Sequence, residues 1–321
     1  MKLAIKISMI IAAGLISAAI LIFVLLMSFN NWDFKKIGAV YTEKELEISA
    51  EFDSIEINVE TADIVFQKSE NGKCKVVTYT NEKLTPTVSI NDAKLVIENA
   101  DARKWYEHIT LFSFNSPKIT VYLPQEEYGA LDIDSSTGNT KISAGLKLTS
   151  LSVSSTTGDV ECYAEITDTL KIDVTSGDVI ISDASVGALS VALSTGDVTL
   201  SSLSVRDGMD IKTTTGKIKL NHINGANINI KGTSGDVILG DTVLIGKLNT
   251  ELTTGEVRLD KFDAAEIYVK TTTGDIKGTL TSDKIFFADT ATGDISVPKT
   301  VSGGTCTLLA TTGDIEISIE N

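Results

Sequence analysis

Apolar and polar residues alternate in short runs along most of this chain, and the runs return in register. From residue 131 onward each unit contains an alternating run, a hydroxyl residue, a glycine and a second alternating run. The glycines are Gly138, Gly158, Gly177, Gly196, Gly216, Gly235, Gly255, Gly274, Gly293 and Gly313, and every gap is 19 or 20 residues. Seven residues before each glycine the side chain is always apolar, from Leu131 and Leu151 to Phe286 and Cys306. Two residues after it, only Thr140 interrupts a column of valine and isoleucine. Four residues after it, only Gly278 is not apolar. Period two on both sides of a tight corner predicts a strand, a turn and a second strand, each with one face turned inward. A further apolar residue such as Ile166, Val186, Ile223, Phe262 or Val301 closes each coil. Helical spacing of three and four is absent, as is the asparagine-centred pattern of leucine-rich repeats. The prediction is an all-β chain, a single-stranded β-solenoid (β-helix) of about 10–11 coils that rise about 4.8 Å each.

A different pattern precedes it. Ile7 to Phe29 is an apolar run of 23 residues with no charged member. As a helix rising about 1.5 Å per residue it spans about 34 Å, enough to cross a hydrocarbon core of about 30 Å. One N-terminal transmembrane helix is therefore predicted, with the membrane as partner through residues 7–29 and Trp32 at interface depth. The rival is a cleaved signal peptide, but the run is long for one and its nearest approach to a cleavage site is Leu26-Met27-Ser28. Lys2 and Lys6 are balanced by Lys35 and Lys36, so the short N-terminal tail is what favours an extracellular body.

Four segments follow from these patterns: a tip and anchor at 1–30, a juxtamembrane spacer at 31–50, an irregular N-terminal β cap at 51–130 and the regular solenoid at 131–321. Within the cap, FDSIEINVETADIVF puts Ala62 where other coils have glycine and reads as an eleventh coil. Residues 94–97 and 118–124 read as further strands. At the other end, Ile315, Ile317 and Ile319 are expected to form an open strand edge guarded by Glu316 and Glu320, which leaves room for end-to-end self-association.

The corners carry the candidate chemistry. A serine or threonine precedes every glycine, and aspartate follows it at Asp159, Asp178, Asp197, Asp236, Asp275, Asp294 and Asp314. Carboxylates stacked about 4.8 Å apart suggest a calcium ladder. Exposed, they repel by only about 0.9 kcal/mol in water and need no ion, and Lys217, Asn139 and Glu256 interrupt the column. The plainer reading gives glycine a left-handed turn and the polar side chains nearby backbone groups. An ice-binding threonine plane fails because adjacent hydroxyl residues such as Thr311 and Thr312 point to opposite sides.

Composition narrows the function. Acidic residues outnumber basic ones 43 to 28, a net charge of −15, which argues against nucleic acid as a partner. Only His108 and His222 are present, far apart, so general acid-base and metal chemistry lack their usual groups and no cofactor is expected. Cys162 and Cys306 fall in inward columns eight coils apart, about 38 Å, which rules out a disulfide between them. Cys74 is left unpaired. Trp105, Tyr106, His108, Phe112 and Phe114 lie within ten residues in the cap and are candidates for a partner-binding patch or a seal over the end of the rod.

The repeated T-T-G-D-[IV] corner, the Thr61-Ala62-Asp63-Ile64 variant and the Val121-Tyr122-Leu123-Pro124 stretch resemble a bacterial putative-adhesin family of β-strand repeat proteins, over about residues 50–321. The resemblance implies a solenoid, often membrane-linked, with relatives in cell-envelope stress systems, and no catalytic residue to carry over. The expectation is a non-enzymatic, single-pass membrane protein of the bacterial cell surface, an adhesin-like binder or an envelope-stress sensor. Its partners would be a cell-envelope polymer or another envelope protein. A scaffold that oligomerises end to end and a polysaccharide-active enzyme are the alternatives.

Overall fold

The structure is a computed structural model that describes residues 2–29, 32, 41–80, 85–99 and 116–320. One α-helix, Lys2–Phe29, precedes 24 β-strands. From Ala12 onward most described side chains of this helix are exposed, including Leu15, Leu21 and Leu25, while Met27 is buried.

The remainder is a β-solenoid of about ten turns. A regular coil is illustrated by Lys147–Thr157, the corner at Gly158, and Val160–Cys162. Each strand pairs in parallel with its equivalents one coil away, so Leu151 lies between Leu131 and Leu170, and Val160 between Thr140 and Val179. Alternation sends Leu151 and Val153 inward and Ser152 and Ser154 outward. Stacking brings like residues together, and the inward columns fuse into one continuous apolar core.

The glycine corners are dictated by backbone geometry and by stacking together. Gly196 has φ +136°, and a Cβ there would sit 2.0 Å from the Gly177 carbonyl oxygen of the preceding coil. Ala62 occupies the corner of the innermost cap coil, without a positive φ. Its coil is flanked on the outer side by Lys94–Glu98 and Lys118–Leu123, which are two separate strands and not one coil turning at a glycine. A second corner, six residues after the glycine, is invisible in the glycine pattern. There Asp183, Ser202, His222, Asp241 and Lys261 adopt left-handed φ of 44–55° in five consecutive coils.

Coils do not stack in chain order at either end. The cap coil Ser54–Lys68 lies between the first regular coil and the later segments Lys94–Glu98 and Lys118–Leu123. Two antiparallel additions then cover this end: Thr87–Asn91 on Lys94–Glu98, and Cys74–Thr80 followed by Thr42–Ile48 on Lys118–Leu123. Thr42–Ile48 thus forms an edge strand inside the stretch expected as a spacer. Its Glu45 and Glu47 pair with Lys75 and Lys73.

At the other end the final strands, Gly304–Thr312 and Ile315–Ile319, insert between the Gly274 coil and the Gly293 coil. The expected open edge at Ile315–Ile319 is therefore wrong: Ile315 and Ile317 are buried, and the outermost strand is Lys284–Thr292. The physical reason lies in the two segments. Pro298 has no N–H to donate and curtails its strand to Ile295–Ser296, so this coil suits the unpaired position. The isoleucine-rich strand takes the covered one. Gly303 and Gly304 permit the return crossing, since a Cβ on either would approach a backbone carbonyl to 1.8 Å. The reordering also puts Cys162 and Cys306 seven coils apart rather than eight, and both are free and buried.

Candidate functional site

The corner aspartates form a hydrogen-bonded ladder. Asp159 Oδ1 accepts the Asp178 N–H at 2.8 Å, and Asp178 Oδ1 accepts the Asp197 N–H at 2.8 Å. The same contact links Asp63 to Asn139 and Asn139 to Asp159, each at 2.9 Å. Asp197 accepts from the Lys217 backbone at 2.8 Å, where the lysine ends the run because it has no acceptor to offer the next coil. Asp236 receives the Glu256 N–H at 3.1 Å. Beyond it Asp275 accepts from Asp314, and Asp314 from Asp294, each at 2.9 Å, following the spatial rather than the sequence order of coils. A ladder of this kind requires one oxygen two bonds from Cβ, which aspartate and asparagine supply equally and glutamate supplies one carbon too late. Among the described residues no three carboxylate, imidazole or thiol groups converge as a metal cage.

Asp275 is further held by the Lys277 ammonium at 2.6 Å. That contact, then the Asp314 N–H, lowers its carboxyl pKa below the ordinary aspartate range. Burial pushes the Cys162 thiol up to about 11 and the Cys306 thiol up to about 12, so neither is a reactive nucleophile. His222 is exposed at the second corner beside Asn221, with their nitrogens 2.7 Å apart. Trp105, Tyr106, His108, Phe112 and Phe114 lie outside the described residues. On either side of them in the sequence, Asn99 donates its N–H to the Asn58 carbonyl, and the Pro117 carbonyl accepts from Asp63.

The sequence pattern gave no hint of a polar stripe on one flank. It consists of the outward residues six before each corner glycine. On consecutive coils these are Ser190, Asp210, Asn229, Asn249 and Tyr268, then Thr307 and Phe287. Asn229 Nδ2 donates to Asp210 Oδ1 at 2.7 Å, and Asn249 Nδ2 donates to Asn229 Oδ1 at 2.8 Å. The acidic end therefore orients the whole amide chain. Each asparagine uses one of its two amide hydrogens, and the Asn249 carbonyl accepts nothing among the described residues. Beside the stripe runs an open groove of about 690 Å³ lined by Thr169, Gly208, Met209, Asn227 and Lys247 as well. Lys247 Nζ, in the groove wall, lies 6.0 Å from the ring centre of Tyr268, the stripe residue of the next coil. The register between coils shifts beside the groove, between Val186 and Ala188 and between Leu244 and Lys247, as bulged strands do.

A second depression, on the face after the corner, is lined by Lys217, Lys219, Asp236, Glu256, Arg258 and Asp260. Its charges are largely spent on each other: Arg258 meets Glu256 at 2.7 Å and Lys217 meets Asp236 at 3.9 Å.

No curated protein matches the chain. Among solved structures, a protein from Parabacteroides merdae described as a putative adhesin is 15% identical, with TM-score 0.51 over 74% of this chain and 95% of that one. A putative adhesin from Parabacteroides distasonis is 12% identical, with TM-score 0.49 over 87% and 97%. These likenesses are of fold. The Toastrack DUF4097 model matches residues 52–239 and 207–321, which together take in both the cap coil and every glycine corner, and the chain belongs to that family.

Proposed function

We propose that this protein is a membrane-anchored rod of the cell surface that binds a hydroxyl-rich envelope polymer along its flank and catalyses no reaction. The observation that carries the reading is the stripe Asp210–Asn229–Asn249–Tyr268. Its amides are pre-oriented by their own hydrogen bonds and leave donors and an acceptor directed outward. A repeating polyhydroxyl chain offers matching donors and acceptors, and the Tyr268 ring beside Asn249 offers a stacking face. Binding sites about 4.8 Å apart along the rod favour many weak contacts over one tight pocket. The helix supports the anchor, since it is long and apolar enough to cross a membrane and most of its described side chains, such as Leu15, Leu21 and Leu25, are exposed.

Two measurements test this. Purified full chain in detergent micelles is sedimented with insoluble cell-wall polysaccharide. The N229L/N249L double variant is expected to lose at least tenfold in retention while circular dichroism shows the rod still folded, and equal retention defeats the flank assignment. Protease added to intact expressing cells is expected to digest the rod. Protection of the rod until the cells are lysed overturns the surface location.

A further inference from the structure

The two ends of the rod differ in a way that bears on self-association. The N-terminal end is sealed by antiparallel strands, and its last strand, Thr42–Ile48, carries three glutamates and a lysine, with most of its side chains in solvent. Charged, ion-paired edges resist strand addition. The opposite end has no such cover among the described residues. Lys284–Thr292 pairs on one side only, with Gly304–Thr312, and its other edge of backbone N–H and C=O groups is open. Phe287 is 57% exposed and Ile295 46% exposed, although Ile295 stands in the column whose other isoleucines and valines are buried, and Val301 is 94% exposed. Phe286 and Ala288 point toward the core yet are only partly buried, because no further coil lies over them.

We propose that this open end binds a second copy of the same chain, end to end about a two-fold axis, and that the pair closes there. Three observations select a second copy. Strand Lys284–Thr292 can pair antiparallel with its own symmetry mate, which would satisfy the open edge of both copies and join their two parallel sheets through one antiparallel pair. Of the charged side chains in residues 284–304, Lys284 is buried against Asp263, and Asp289, Asp294 and Lys299 remain in solvent, a surplus of one acidic group in a chain of net charge −15, so the ends meet with little of the repulsion that the rest of the surface would impose. A footprint about 30 Å along the strand by about 20 Å across buries about 1,200 Å² over both copies, the lower bound for a specific interface and the range of a reversible one. Head-to-tail stacking into filaments is opposed by the sealed, charged N-terminal end. A closed dimer is thus the expected limit. This contact joins like ends, through internal strands rather than the last one.

The test uses full-length protein in detergent micelles, with mass measured by sedimentation across a concentration series. The expected result is a reversible monomer–dimer equilibrium with no larger species. Phe287→Asp places a charge on an exposed side chain, and is expected to raise the dimer dissociation constant at least tenfold without changing the melting temperature. Leu46→Asp, on the exposed edge of the sealed end, is expected to leave it unchanged. A monomer at all concentrations, filaments, dimerisation that survives Phe287→Asp, as pairing through the membrane helix would, or dimerisation lost on Leu46→Asp each overturns the proposal.

Discussion

Two glycines with the same backbone angle separate the two costs that a corner side chain incurs. Gly196 and Gly208 both have φ +136°. At Gly196 an added Cβ lies 2.0 Å from the Gly177 carbonyl oxygen, whereas at Gly208 the nearest atom, the Asn227 carbonyl oxygen, is 3.5 Å away. Alanine at either site meets a backbone region that essentially only glycine enters, at about 1–3 kcal/mol. Gly196→Ala must also push neighbouring coils apart by about an ångström, against the Gly177 N–H to Thr195 carbonyl and Gly196 N–H to Thr215 carbonyl bonds, both 3.0 Å. Overpacking of this kind costs about 1–3 kcal/mol more. The expected total is about 2–6 kcal/mol for Gly196→Ala and about 1–3 for Gly208→Ala. Urea unfolding of the two variants, followed by circular dichroism, reads the difference. Amide hydrogen exchange at the adjoining corners checks whether the loss is local, since stacked repeats open in parts. Equal costs at the two sites would show that the left-handed turn alone requires glycine, and would refute the claim that coil stacking does.

Three further outcomes follow from the same geometry. Asp178→Ala removes the acceptor for the Asp197 N–H and is expected to cost about 1–2 kcal/mol, while Asp178→Asn, which keeps the oxygen, recovers most of it; equal melting temperatures for the two would contradict the ladder. The Asp275 carboxyl has a folded pKa below its unfolded one, so its contribution to stability is present above the ordinary aspartate range and is lost as pH falls through the depressed value. Asp275→Asn should therefore flatten the acid limb of stability measured against pH, and an unchanged limb would count against the Lys277 contact. Cys74, Cys162 and Cys306 are all buried, with thiols pushed up to about 11, 11 and 12, so none should be alkylated at neutral pH until the rod unfolds. Mass spectrometry after brief exposure to a maleimide would expose any error.

Much of the architecture was legible because a solenoid is built from local repetition. One coil contacts only its neighbours, so the recurrence of Leu151, Val160 and Cys162 at fixed distances from Gly158 carries the inward faces, the corner and the stacking register at once. The ladder was half legible. The aspartate column and its interruption at Lys217 stand in the sequence, but whether each carboxylate faces solvent, an ion or the next N–H depends on a separation of a few tenths of an ångström between coils.

What periodicity could not carry was the order of coils and the flank between the corners. Any coil of this chain can stack on any other, since their inward columns are alike, so sequence proximity is a default and not a rule. The end coil is chosen by which segment best tolerates one bare edge, and Pro298 with Gly303-Gly304 were the signals that could have revealed it. The stripe Asp210–Asn229–Asn249–Tyr268 escaped for a related reason: outward residues are free of the core's demand for apolar side chains, so no period marks them. The sequence by itself determined the coil, its faces and its corners, because those are set within about twenty residues by alternation and backbone sterics. Only the tertiary structure decided which coil ends the rod, because that choice compares the edges of distant segments once the core has already been satisfied.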